Sequence, residues 1–193
     1  FKTAGMSASD YMNTATSFAA SLLQGLGGDT AKAAEISNMA ITDMSDNVNK
    51  MGSNMEDVQN VYQGFAKQNY TMLDNLKLGY GGTKEEMQRL LEDAEKLSGV
   101  HYDISNLSDV DSAIHVIQEE LGITGTTAQE AATTLSGSAA MVKSAWTNVL
   151  ATLSTGGDIQ TAMSNLASSA ATFLFDNLIP ALGNIILQLP SAL

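Results

Sequence analysis

The sequence predicts an all-α protein, a multi-helix domain of about seven or eight amphipathic helices with Gly-rich breaks and little or no strand. Apolar residues recur every three or four positions along most of the 193 residues, as they do on one face of a helix. Capping boxes, in which a hydroxyl residue stands three positions before an acid, mark helix starts. Only the stretch 100–104 could be strand. The boxes are Ser7 with Asp10, Ser53 with Glu56, Thr83 with Glu86, and Thr127 with Glu130.

Three helices are predicted in the first third of the chain. The first covers about 7–24 and ends at the glycines at 25, 27 and 28. Asp29 caps the second, which extends to about 50, and the third covers about 54–66. Each has an apolar face that should pack into a core. These faces comprise Tyr11, Ala15, Phe18 and Leu22, then Ile36, Ala40, Met44 and Val48, then Met55, Val58, Tyr62 and Phe65.

A long connection, KQNYTMLDNLKLGYGG at 67–82, breaks this periodicity. Connections of this length are uncommon unless they pack against the protein or have a role of their own. One helical turn is expected around 71–76. The apolar residues of the segment predict that it packs against the core; they are Met72, Leu73, Leu76 and Leu78.

The second half of the chain predicts helices over about 84–98, 108–121, 127–135 and 137–154, and a last helix capped by Asp158. Trp146, the only tryptophan, is interpreted as a core anchor rather than a residue that stacks on a ligand. The apolar faces comprise Met87, Leu90, Leu91, Ala94 and Leu97, then Val110, Ile114, Ile117 and Leu121, then Val142, Ala145, Trp146, Val149 and Leu153.

The chain is predicted to comprise two parts that meet at residues 155–156. Residues 1–155 form a helical domain, and 156–193 form an apolar C-terminal helical segment that leads to the rest of a longer chain. From Asn177 onward the segment has no charge, and Pro180, Gly183 and Pro190 are expected to interrupt it. The segment either packs against a partner further along the chain or acts at a membrane surface. The opening FKTAGMSASDYM, which lacks an initiator Met, also predicts a piece of a longer protein.

The charge balance disfavours nucleic-acid binding. The formal net charge is −12, and the nine basic residues are scattered rather than clustered. Contacts with a phosphate backbone need clustered Lys and Arg. The absence of cysteine excludes disulfides and thiolate metal ligands.

The glycine-rich stretch GYGGTKEE at 79–86 is the first candidate for a binding site. A phosphate-binding P-loop needs G-x-x-x-x-G-K-[ST] after a buried strand, whereas here Lys84 follows Thr83 and no apolar strand precedes. We therefore expect Gly79, Gly81 and Gly82 to be positive-φ positions that turn the chain into a helix capped by Thr83.

Other candidate sites are also weak. His101 and His115 are fourteen residues apart, a spacing unlike that of helical metal motifs, and Asp109 with Asp111 fails the calcium-loop pattern. His115 is expected at the surface or at the boundary of the core. The acidic pairs Glu85–Glu86 and Glu119–Glu120 are read as solvated helix faces. We therefore assign no catalytic, cofactor-binding or metal-binding residue and expect no cofactor.

Three long stretches resemble the conserved N-terminal region of phage tail tape measure proteins, in the variants of long-tailed phages and prophages of Gram-positive bacteria. Together they place the resemblance over about residues 5–155. Beyond residue 155 the likeness rests on apolar character alone. The stretches are SASDYMNTATSFAASLLQGLGGDTAKAAEISNMAITDMSDNVNKMG, NVYQGFAKQNYTMLDNLKLGYGGTKEEMQRLLEDAEKLSG and YDISNLSDVDSAIHVIQEELGITGTTAQEAATTLSGSAAMVKSAWTNVL.

The resemblance implies a structural phage tail protein rather than an enzyme. Such a protein sets tail length during tail assembly and later helps genome ejection. The implied partners are the tail tube protein, tail assembly chaperones, tail tip proteins, further copies of the chain in the tail, and the host membrane through the C-terminal apolar segment. The implied location is the lumen of the tail tube in the virion, and the host cytoplasm during assembly. The alternative is a helical membrane-active or protein-binding module of a secretion or toxin delivery system.

Overall fold

The structure, a computed structural model, describes residues 6–26 and 28–188 and confirms the all-α class. Every regular element within these ranges is helical, and the stretch 100–104, which the sequence left open as strand, forms none. The elements are α1 (Ala8–Gly25), α2 (Thr30–Met51), α3 (Met55–Phe65), a 3₁₀ turn (Leu73–Leu76), α4 (Lys84–Ser98), α5 (Leu107–Glu120), α6 (Thr126–Thr133), α7 (Leu135–Thr155), α8 (Ile159–Ala171), a π-helical segment (Thr172–Leu178) and α9 (Ile179–Gln188).

The last three of these elements follow one another without a break. They form one continuous helical stretch, so the described residues hold eight helices, as the periodicity predicts. The helices divide into two compact units. The central unit is Met12–Thr126, and the terminal unit comprises the described residues outside it, 6–11 and 127–188. The predicted change of domain at residues 155–156 stays a prediction.

The core of the central unit confirms most of the predicted apolar faces. It includes a chain of aromatic rings, Phe18, Tyr62, Phe65 and Tyr70, with centroids 6.1, 5.7 and 5.9 Å apart in that order. Burying one large apolar side chain stabilises a fold by about 1.5–3 kcal/mol, so this core is the main stabilising contribution. The fully or nearly buried residues from the predicted faces are Phe18, Leu22, Ile36, Ala40, Met44, Val58, Tyr62, Phe65, Met87, Leu90, Leu91, Ala94, Val110, Ile114 and Ile117.

Two residues predicted on these inner faces are exposed. Leu97 is 50% exposed and Leu121 is 45% exposed. Each lies in the last turn of its helix or directly after it, where fewer neighbouring elements remain to cover a side chain. The prediction that they face the core is therefore wrong.

The connection at 67–82 packs as predicted. Its helical turn is the 3₁₀ turn, and Leu73, Leu76 and Leu78 are buried. Tyr70 precedes the 3₁₀ turn, and its hydroxyl donates to the backbone oxygen of Ile104 at 2.7 Å. The connection is therefore part of the core rather than a solvated loop.

Predicted helix caps form at four places. The side chains of Ser7, Asp29, Thr83 and Asp158 each accept a hydrogen bond from the backbone N–H three residues later, at 3.0–3.2 Å. Each bond satisfies one of the N–H groups that a helix start leaves unpaired. The first turns of α1, α2, α4 and α8 therefore begin where the sequence indicates.

The other two capping boxes do not form at the predicted residues. Asn54 rather than Ser53 caps α3, because its amide oxygen accepts from the Asp57 N–H at 2.8 Å, and Asn is as good a cap as Ser. Thr127 lies inside α6, which begins at Thr126 directly after a turn closed by the bond from the Thr126 N–H to the oxygen of Ile123.

In the terminal unit, α7 and α8 pack against each other, and the prediction for Trp146 is wrong. The buried residues of α7 include Ala145 and Val149, which are small enough to let two helices approach closely. Trp146 follows one position later, about 100° further around the helix, and is 52% exposed. Leu153, predicted on the same inner face, is exposed as well.

The C-terminal segment continues as helix through two of its predicted breaks, Pro180 and Gly183. Proline has no N–H to donate to the preceding turn and usually kinks or ends a helix. Here the π-helical segment comes directly before it, and its wider turn, with the Ile179 N–H donating to the oxygen of Leu174, accommodates the missing bond. Pro190 lies outside the described residues. Among the described helices, none is long and apolar enough to cross a membrane.

Gly82→Ala should destabilise the central unit by about 1–3 kcal/mol. A Cβ at this position would lie 2.2 Å from the backbone oxygen of Thr71, and neither backbone can move without disturbing the packed connection. Thermal unfolding followed by circular dichroism measures the effect. The matched control is Gly81→Ala, whose Cβ would lie 3.3 Å from the flexible side chain of Glu86. Equal melting temperatures for the two variants would contradict the packing argument.

Candidate functional site

The glycine-rich stretch at 79–86 is a bend, but only one of its three glycines has a positive φ. Gly79 has φ +90°, as predicted. Gly81 and Gly82 do not, so the prediction of positive φ is wrong for both. Gly82 is required by its close approach to Thr71 instead.

Two groups that could attract a phosphate at this bend, the Gly81 N–H and the Arg89 guanidinium, are already bonded within the protein. The Gly81 N–H donates to Oε2 of Glu86 at 2.9 Å, the place where a P-loop would hold an anionic oxygen. Arg89 donates to the same carboxylate at 2.6 Å and to the oxygen of Gly79 at 3.1 Å. Arg89, followed by the Gly81 N–H, lowers the pKa of Glu86. The arrangement therefore fixes the bend and leaves a carboxylate where a phosphate would have to sit.

Arg89 also fixes Tyr80. Its guanidinium carbon lies 4.4 Å from the centroid of the Tyr80 ring, and the Tyr80 hydroxyl donates to Oδ2 of Asp93 at 3.1 Å. Burial, followed by the hydrogen bond to Asp93, raises the pKa of Tyr80 to about 12. Tyr80 is therefore a neutral donor held in one orientation.

The two histidines pair with different carboxylates. His101 Nδ1 lies 2.9 Å from Oε2 of Glu95 on the surface, and its side chain is 79% exposed. His115, on α5, pairs with Asp43 of α2 and is 27% exposed, which confirms its predicted place at the boundary of the core. Asp109 accepts from the Asp103 N–H at 3.0 Å rather than joining either pair. Across residues 6–26 and 28–188, no three His, Asp or Glu side chains are grouped so that they could hold a metal ion.

His115 belongs to a buried group that we call the α2–α5 polar cluster, made of Asp43, Asp46, Asp111, His115 and Gln118. Nδ1 of His115 lies 2.9 Å from both carboxylate oxygens of Asp43. On the other side of the ring, Nε2 lies 3.5 Å from Oε1 of Glu119. Asp46 is fully buried and accepts from the Gly125 N–H at 2.6 Å.

The surroundings of His115 favour its protonated form. The hydrogen bond to Asp43 raises the pKa of His115, although burial acts in the opposite direction. Burial raises the pKa of Asp43 despite its bond to the histidine. We place the proton between them on His115, because both of its ring nitrogens face carboxylates and a charged imidazole donates from both. In this state the ring has no lone pair and does not serve as a general base.

Asp111 is the most unusual member of the cluster. It is 1% exposed, and neither carboxyl oxygen has a hydrogen-bond partner within the protein. Burial, and then the charge of Asp43, raise the pKa of Asp111 well above its usual range. Gln118, one turn from His115, donates to the Tyr62 hydroxyl at 3.4 Å, while its own amide oxygen is unpaired and buried. The core therefore holds a carboxyl group that is stable there only when it is neutral.

Sequence reasoning missed this cluster, although a signal was present. Asp43 follows Ala40 by three positions and precedes Met44, so it lies within the apolar face of α2. Asp111 and Gln118 lie at helical spacing from Ile114 in the same way. A charged residue inside a periodic apolar face indicates a buried partner, but the identity of that partner depends on which helix packs there.

His115→Gln should destabilise the central unit by about 3 kcal/mol at pH 6, because it leaves Asp43 buried without its partner. The folded-state pKa of His115 is raised, so its stabilising contribution is complete below the unfolded pKa and is lost as the pH rises through the folded pKa. The destabilisation should therefore shrink towards pH 9. Chemical denaturation at several pH values measures it.

Two controls make this result specific. His101→Gln removes a pair with the same 2.9 Å distance on the surface and should change the stability little. The double variant Asp43→Asn/His115→Gln removes both charges and should recover part of the loss. If His101→Gln and His115→Gln had the same effect, the buried pair would not be the stabilising feature.

Asp111→Asn should raise the melting temperature at pH 7.5, with the gain shrinking towards pH 4. The folded-state pKa of Asp111 is raised. Burying Asp111 therefore costs no folding free energy below its unfolded-state pKa, and the cost grows as the pH rises above that unfolded-state value. A gain of about 1 kcal/mol corresponds to roughly 4 °C in a domain of this size. Glu92→Gln, which removes an exposed carboxylate from α4, is the control. A gain that does not depend on pH would contradict the neutral carboxyl.

No protein-family model, no curated protein and no solved structure matches the chain.

Proposed function

We propose that the chain is part of a phage tail tape measure protein, which sets tail length during tail assembly and later helps genome ejection. The resemblance over about residues 5–155 is the observation that carries this proposal. The resemblance implies a mostly helical protein, and the all-α fold agrees with that implication. The role is structural, so the α2–α5 polar cluster stabilises the central unit and has no part in catalysis.

The acidic surface supports the proposal. The chain has 21 acidic residues against nine basic ones, so it repels the DNA that passes through the same tube during ejection. The charge is unevenly distributed along the chain. Within 127–188 the charged residues are Glu130, Lys143, Asp158 and Asp176 only. Because it has so few charges, the terminal unit has the weakest electrostatic barrier to close packing with other proteins.

Exposed apolar stripes on the terminal unit support lateral packing. Trp146, Leu150 and Leu153 follow one another at helical spacing on α7, and all three are exposed. Monomeric soluble proteins rarely expose large contiguous apolar patches, so such stripes indicate contact with a partner. We propose that tube proteins, assembly chaperones, tail tip proteins or further copies of this chain cover them. The chain then acts in the host cytoplasm during assembly and in the tail tube lumen of the virion.

Co-expression with the tail tube and assembly chaperone proteins of the parent phage should give a complex of defined stoichiometry. Size-exclusion chromatography with light scattering measures its mass. The double variant Trp146→Gln/Leu153→Gln should weaken the complex while keeping the helical circular dichroism signal. Met12→Gln, which alters an equally exposed apolar residue of the central unit, should not. A folded chain that binds none of these proteins would contradict the assembly role.

The alternative, a helical membrane-active or protein-binding module of a secretion or toxin delivery system, draws on the last helical stretch. Phe175, Ile179 and Leu182 are exposed on it at helical spacing, and Phe175 is 66% exposed. An amphipathic helix with such a stripe can lie in a membrane interface. Co-sedimentation with anionic vesicles tests this function. Vesicle binding together with failure to bind tail proteins would favour the alternative.

A further inference from the structure

The central unit has a small apolar pocket whose volume is about 310 Å³. Its floor is formed by Leu78 and Ile117, which are buried. Leu97 at the end of α4 and Leu121 directly after α5 also line the pocket, and each is close to half exposed. Leucines exposed around a concave apolar floor are typical of a surface that a partner side chain fills.

One wall of the pocket is already ordered in the unbound chain. Tyr80 lines it, and the bonds of Arg89 and Asp93 described above fix the orientation of this ring. The Arg89 bonds to Glu86 and to the oxygen of Gly79 fix the backbone beside it. A surface that is already ordered loses little conformational entropy on binding. The stretch GYGGTKEE therefore forms an ordered wall of this pocket rather than a phosphate loop.

The net charge of the pocket lining is negative. Lys96 and Asp93 pair with each other at 2.8 Å and offset one another, which leaves Glu120 as the remaining charge. Glu120 also lines the pocket and makes no ion pair within the described part of the chain. The last turns of α4 and α5 both line the pocket, and helix C-termini carry partial negative charge. An occupant with Lys or Arg beside its apolar anchor is favoured, whereas a second copy of this chain, at −12, is disfavoured.

We infer that this pocket docks a basic amphipathic helix of a partner protein, with one large apolar side chain in the pocket and Lys or Arg beside Glu120. A helix fits because the pocket lies between two helices, and no strand among the described residues offers an edge for an extended peptide. The docking depends on the geometry of the central unit alone. It therefore holds whether or not the chain is a tape measure protein.

The test uses the full 193-residue chain and a synthetic Leu–Lys peptide of about 14 residues, long enough to form a helix on binding. Amide chemical shifts in a nuclear magnetic resonance titration should move around Leu97 and Leu121. A Leu–Glu peptide of the same pattern should bind about tenfold more weakly or not at all. The Kd of the Leu–Lys peptide should also weaken as salt is added.

Matched variants identify the site. Leu97→Gln should weaken binding of the Leu–Lys peptide about tenfold, because it removes one apolar side of the pocket without changing the net charge. Glu120→Gln should weaken binding a few-fold and reduce its salt dependence. Met12→Gln alters an apolar residue of similar exposure elsewhere in the central unit and should change nothing. Equal binding to the Leu97→Gln variant, equal binding of the two peptides, or shifts centred on Trp146 would each overturn the inference.

Discussion

The buried pair of His115 and Asp43 is the interaction on which the arrangement of the central unit depends. The two residues are 72 positions apart in the chain, and their contact joins α2 to α5 at the boundary of the core. A buried charge without a partner is strongly destabilising, so the pair favours the register of α2 and α5 that brings the ring and the carboxylate together. Registers that separate Asp43 from His115 leave a buried carboxylate unpaired and are therefore disfavoured.

The helices could be predicted from the sequence because their causes are local. Caps such as Asp29, Thr83 and Asp158 act within one turn, and glycines end helices through their own backbone freedom. The buried faces of α2 to α5 followed from periodicity for the same reason. The partner of Asp43 could not be predicted, because it depends on which helices meet. The neutral carboxyl of Asp111 depends on the same packing, since only burial among several elements raises its pKa so far.

Several apolar residues that the sequence placed in the core are exposed in the structure. Periodicity shows that one side of a helix is apolar, but it does not show how much of that side a neighbouring helix covers. Leu97, Trp146 and Leu153 lie on correctly predicted helices and Leu121 follows one directly, and all four side chains are exposed. These positions are also where the proposed contacts with other proteins lie. The residues that the sequence placed wrongly in the core therefore coincide with the surfaces proposed to contact partners.

The π-helical segment at Thr172–Leu178 changes the directions in which the side chains after it point. In a regular helix each residue advances the side-chain direction by about 100°, so the direction at any position can be counted from the start. A π turn accommodates an extra residue and shifts that count for everything after it. The directions of Ile179 and Leu182 thus depend more on the number of residues in the π-helical segment than on the types of those residues. A single deletion there would re-phase the end of the helix as effectively as several substitutions.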